Sequence, residues 1–98
     1  MQDRRYSILQ TDFREKCYIC GTTRNLQIHE VFFGTANRKK SIKYGCCLTL
    51  CAYHHNASNQ AVHYNHELDI QLKMEMQRKF QQRYKDLDFI KVFGKNYL

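Results

Sequence analysis

The amino-acid sequence predicts a small α+β domain with a metal-stapled core and a helical C-terminal extension. Three observations carry this expectation. Two Cys/His half-sites, Cys17-x2-Cys20 and Cys51-x2-His54, flank residues 21–50. That intervening stretch contains two short apolar segments of strand character. Beyond the second half-site, Leu68, Leu72, Met76, Phe80 and Tyr84 recur at every fourth position. This spacing marks one helical face that drifts slowly around its axis.

The elements follow in order. The first 16 residues are mixed and charged, with Tyr6, Ile8 and Leu9 as anchors. Cys17-Tyr18-Ile19-Cys20-Gly21 forms a knuckle in which glycine can supply a positive φ. Residues 26–33 read as a strand, because Leu26 and Ile28 alternate with polar neighbours and Val31, Phe32 and Phe33 follow. Residues 34–40, Gly-Thr-Ala-Asn-Arg-Lys-Lys, read as a polar, basic loop. Residues 44–50 read as a second, nearly all-apolar strand, so the two strands would make a hairpin. From Cys51 the shortage of β-branched residues suggests the start of a short helix. Asn65 is a candidate N-cap for the long helix. A final short helix is expected at about residues 88–93, closed by Gly94. The chain thus reads as one domain over 1–98, with a core at 17–66 and C-terminal helices at 67–98.

Composition narrows the function. No proline, four glycines and 43% hydrophobic residues are not the make-up of a disordered chain. No apolar run approaches the roughly 20 residues that span a bilayer. Met1-Gln2-Asp3-Arg4-Arg5 leads into no signal-peptide core, so the expectation is a cytoplasmic protein without a membrane partner. In a reducing compartment, five cysteines point to metal or chemistry before disulfides, and an odd number cannot all pair. Sixteen Lys and Arg against nine Asp and Glu leave a net charge of +7, which makes nucleic acid the default partner.

The two half-sites together make a tetrahedral Cys3His zinc site from Cys17, Cys20, Cys51 and His54, with His55 as an alternative fourth ligand. Such a site would clamp the hairpin base to the helix start. It can contribute about 10 kcal/mol or more to folding. Cys46 and Cys47 lie in the second strand, and at least one reads as a small core residue.

Five histidines fall in two places, His29 in the first strand and His54, His55, His63 and His66 downstream. Phosphodiester hydrolysis needs a base to activate water and a cation to stabilise charge on the phosphate and leaving oxygens. A strand histidine facing a helix histidine could meet both needs. His66 instead reads as a solvent-facing residue in the first turn of the long helix.

The segments His29-Glu30-Val31-Phe32-Phe33-Gly34, Asn37-Arg38-Lys39-Lys40, Leu50-Cys51-Ala52-Tyr53-His54-His55-Asn56 and Val62-His63-Tyr64-Asn65 resemble HNH endonucleases. The resemblance is closest to compact zinc-containing versions from phages and prophages, some of them recombination-enhancement nucleases. It covers residues 17–66 well and the rest loosely, and Leu-Cys-x2-His-His after a strand is its specific part. It implies a ββα-metal (His-Me finger) fold and a phage or prophage protein acting on DNA in a bacterial host.

The resemblance also implies roles. His29 would be the strand residue, as general base or metal ligand. His55 would bind the catalytic metal beside the structural ligand His54. His63 would be a further metal ligand or phosphate contact. The family's strand motif pairs a metal ligand with a histidine base, and here the pair is His29-Glu30. The base is therefore His29 or Glu30. An imidazole titrating near neutrality favours His29, leaving Glu30 to bind metal or orient it. The family's middle asparagine has no counterpart in Lys43-Tyr44-Gly45, and Asn37, Asn56 and Asn59 are candidates to replace it. Histidine and carboxylate ligands would accept Mg, Mn, Ni or Zn.

Arg38, Lys39, Lys40 and Lys43 form a basic cluster suited to gripping phosphates, which gives affinity without sequence information. Lys73, Arg78, Lys79, Arg83 and Lys85 on the long helix read mainly as a solvated face. The expected activity is a metal-dependent endonuclease of low sequence specificity, with a homodimer attractive for double-strand cleavage. The alternatives are a non-catalytic, zinc-finger-like nucleic-acid-binding protein and a protein-binding phage factor.

Overall fold

The computed structural model describes residues 3–98. Strand β1 (Leu26–Glu30) pairs antiparallel with β2 (Cys47–Cys51), with Leu26 opposite Cys51 and Glu30 opposite Cys47. Helix α1 (Thr35–Tyr44) runs between them. After β2 come α2 (Ala52–His55), α3 (His66–Arg83) and α4 (Phe89–Phe93). The α+β class holds, with a two-stranded sheet and helices around one core.

The connection between the strands departs from the expected basic loop, because residues 35–40 are helical. Ala, Arg and Lys are good helix formers, and no proline interrupts the run. The apolar periodicity that usually marks a helix is missing, since Ser41 is its one buried residue. Ser41 Oγ donates to the Phe32 carbonyl at 2.7 Å and accepts from the Phe32 amide at 3.1 Å. These two hydrogen bonds tie the helix to the end of β1 inside the core. Tyr44 consequently closes α1 instead of opening a strand. Gly45 then reverses the chain at φ 74°, with its α-carbon against Tyr6 and Ile8, where a β-carbon would collide.

The first strand is also shorter than its apolar run. It ends at Glu30, and Val31 and Phe32 turn into the core. Phe32 stacks near Phe93 and Phe89, with ring centroids 4.5 and 5.0 Å away. The expected helical face is realised on α3. Leu72, Met76 and Phe80 are buried, while Leu68 and Tyr84 pack partly buried beside them. Cys46 and Cys47 are both buried. Asn65 caps α3 by accepting from the Leu68 amide at 3.1 Å. Asp88 caps α4, and Gly94 closes it at φ 83°. Ile8 and Leu9 pack against the core, and Tyr6 donates its hydroxyl to the Lys43 carbonyl at 2.9 Å. Among the described residues no helix is long and apolar enough to cross a membrane.

Candidate metal centres

Two groups of potential metal ligands meet around α2. The first is Cys17, Cys20, Cys51 and His54, whose ligand atoms all lie within 4.8 Å of one another. The knuckle is closed by hydrogen bonds from the Gly21 amide to the Cys17 carbonyl and from the Cys17 amide to the Thr22 carbonyl, both 2.9 Å. Gly21 takes φ 75°. The Tyr18 amide donates to Thr49 at 2.8 Å, which pins the knuckle to β2. Cys51 ends β2 and stands at the N-cap of α2, one turn before His54.

The spacings suit a single ion. At metal–sulfur distances of about 2.3 Å, two tetrahedral sulfur ligands stand about 3.8 Å apart. The Cys20 and Cys51 sulfurs are 3.7 Å apart. His54 Nδ1 lies 3.3 Å from Cys51 Sγ and 3.9 Å from Cys17 Sγ. Burial raises the Cys17 thiol, but backbone groups of Cys20, Cys51 and Ile19 outweigh it and hold the thiol below its ordinary value, whereas burial pushes the Cys51 thiol up. A thiolate is what a metal requires. This group could hold a metal such as zinc.

The second group is His29, His55 and His63, again with ligand atoms within 4.8 Å of one another. His29 comes from β1, His55 from α2, and His63 from the segment that leads to α3. That segment is tied to α2, because the Val62 amide donates to the His54 carbonyl at 2.7 Å. The facing Nε2 atoms of His55 and His63 are 3.1 Å apart. Two nitrogens bound to one ion at about 2.1 Å stand roughly 3.0–3.4 Å apart, so the pair fits a shared cation.

His29 is 2% exposed, and its Nε2 is buried without a hydrogen-bond partner among the described residues. Buried polar atoms are normally paired, so an orphan here asks for a ligand. Burial lowers the His29 pKa to about 3, helped by His55, His63 and the Lys73 ammonium. Burial and His63 also lower that of His55. Both imidazoles are therefore neutral near pH 7, the form that ligates metals.

The histidines line an open cleft of about 230 Å³ with Ile28, Glu30, Phe33 and Arg38. Glu30 belongs to this cleft but not to the three-histidine group. Its carboxylate faces Arg5 at 3.6 Å and Arg38 at 3.7 Å.

The four basic residues expected in the loop and at the entry to the second strand instead ride on α1. Arg38 reaches the cleft, and Lys39 and Lys43 are exposed one turn apart. Lys40 donates to the Val92 carbonyl at 2.7 Å and anchors α4. Asn37 likewise donates to the Phe93 carbonyl at 3.2 Å, and Asn56 caps the end of α2. His66 is exposed at the start of α3. Lys73 is not on a solvated face. It is buried, 2.8 Å from Asp69 and 4.0 Å from the centre of the Phe33 ring.

One contact escaped the sequence reading. Gln27 Oε1 lies 2.5 Å from His55 Nδ1. Its signal was period two, since Gln27 and His29 share one face of a strand.

No protein family, curated protein or solved structure matches the chain.

Proposed function

We propose that this chain is a metal-dependent endonuclease of the HNH type, with a ββα-metal core, that hydrolyses DNA phosphodiester bonds with low sequence specificity. The observation that supports it most is the convergence of His29, His55 and His63 on an open cleft rimmed by Arg38. In this reading Cys17, Cys20, Cys51 and His54 hold a structural zinc, and the three histidines hold a catalytic divalent ion. Such an ion supplies Lewis-acid stabilisation of charge on the phosphate and the leaving oxygen.

The chain's own groups divide the remaining work. His29 is the innermost ligand, because its burial disfavours the imidazolium that would form if it took a proton. That removes the main argument for His29 as base. Glu30, one position along and facing the same cleft, then accepts the proton of the attacking water. Arg38 is well exposed and weakly bridged to Glu30, so it can turn to a phosphate oxygen and free the carboxylate. Lys39 and Lys43 extend the phosphate-binding edge along α1, whereas Lys40 serves the fold. Base-reading groups play no part in this scheme, which accounts for low specificity.

The test is cleavage of supercoiled plasmid and single-stranded DNA with EDTA, Mg, Mn or Ni. His29→Ala, His55→Ala and Glu30→Gln are run in parallel, with zinc counted on each sample. Metal-dependent nicking that disappears in all three variants, with zinc retained, supports the assignment. Absence of cleavage by folded wild-type protein carrying one zinc per chain would favour a zinc-stapled binding module.

A further inference from the structure

The three-histidine group has a support that lies outside it. Gln27 and His29 stand two apart on β1, so their side chains leave the same face of the strand. Both reach His55 on α2. The His29 ring centroid is 5.2 Å from that of His55, and Gln27 Oε1 is 2.5 Å from His55 Nδ1. An amide oxygen can only accept a hydrogen bond. With the Gln27 amide oxygen turned to the ring, the proton of this contact sits on His55 Nδ1. In the neutral ring that leaves a bare lone pair on Nε2, the nitrogen that faces His63 Nε2 at 3.1 Å.

We propose that Gln27 is a positioning residue, which fixes the tautomer of His55 and thereby aims its Nε2 at the space shared with His29 and His63. The assignment rests on the reading of these histidines as a metal site. It adds the element that orients one of them. Free imidazole favours the opposite tautomer, with the proton on Nε2, which would place an N–H where a ligand lone pair is needed. A carbonyl acceptor on the far nitrogen corrects this and holds the ring plane, as outer partners of metal-bound histidines generally do. His55 needs such help because α2 is a single turn of four residues and cannot hold its side chains alone. His63 makes no equivalent contact among the described residues apart from His55 itself.

The experiment compares zinc-loaded wild-type protein with Gln27→Leu and Gln27→Glu. Imidazole nitrogen NMR without added second metal reads the His55 tautomer. Calorimetric titration with Ni2+ reads affinity at the histidine group. The expected wild-type result is a proton on His55 Nδ1. In Gln27→Leu that tautomer is lost and Ni2+ binds about 10–100-fold more weakly, with zinc content unchanged. Gln27→Glu keeps an acceptor and restores both readouts. A wild-type His55 protonated on Nε2 overturns the inference without recourse to any variant. Equal Ni2+ affinity in wild type and Gln27→Leu also overturns it. Failure of the wild-type protein to bind Ni2+ at the histidines would count against the nuclease reading instead, and the tautomer would still decide the role of Gln27.

Discussion

His54 and His55 are consecutive residues of one helical turn, yet their rings serve different groups. His54 Nδ1 lies 3.3 Å from Cys51 Sγ, whereas His55 Nδ1 meets Gln27 and its Nε2 faces His63. Successive helical side chains point about 100° apart, so one turn can address two centres on two sides. The amides of Val62 and His63 donate to the carbonyls of these same two residues, which hangs His63 on α2 as well. Whatever holds α2 in place therefore holds two of the three clustered histidines.

Loss of the Cys3His group should accordingly damage both centres. Cys20→Ser removes its exposed ligand with little effect on core volume. If it weakens the site by about 3 kcal/mol, the thermal midpoint falls by roughly 15 °C for a domain of this size. Ni2+ affinity at the histidine group should fall with it. Unchanged stability and zinc content would show that the four residues do not hold structural zinc.

Alkaline pH should destabilise the fold through Cys47. Burial, with a contribution from the Glu30 carboxylate, pushes its thiol up to about 12, against an ordinary value of 9.0. Between those values the unfolded chain loses this proton and the folded chain keeps it. The stabilising effect is complete below pH 9 and declines as pH rises toward 12. Denaturant melts at pH 8 and pH 10.5 should show the loss, and Cys47→Ala should reduce it, leaving the share of the Cys46 thiol, which burial also pushes up. The same burial leaves Cys47 unreactive to iodoacetamide in the native state.

Ser41 should matter more than a serine usually does. Ser41→Ala strips the Phe32 amide and carbonyl of their side-chain partner inside the core. The expected cost is about 1–3 kcal/mol, read by denaturant unfolding. A cost near zero would mean that α1 does not depend on this tether.

The basic residues of α1 should separate into two classes. Arg38→Ala and Lys43→Ala should each reduce DNA affinity and lower the salt slope by about one. Lys40→Ala removes the bond to the Val92 carbonyl and should lower stability while leaving the salt slope unchanged. Equal effects of all three on the slope would contradict the division.

Much of this molecule was legible in its residues because the signals were local. The x2 half-sites, the Asn65 cap, the short last helix closed by Gly94 and the four-spaced face of α3 each depend on neighbours within a turn or two, and each is found where expected. The sequence by itself determined which residues could ligate a metal. It did not reveal α1, whose one buried residue is Ser41 and which otherwise meets the core through Tyr44 and polar bonds from Asn37 and Lys40, so no apolar period marks it. Nor did it separate Lys40 from Lys39, or take Lys73 off the surface, since those differences lie in distant partners, Val92 of α4 and the Phe33 ring. Only the tertiary structure decided that His29, His55 and His63 form one group, that Glu30 stands outside it, and that Gln27 stands behind it. The physical reason is that a ligand set is defined by distances between elements, and those are fixed by packing of the sheet against α2, not by the order of residues along the chain.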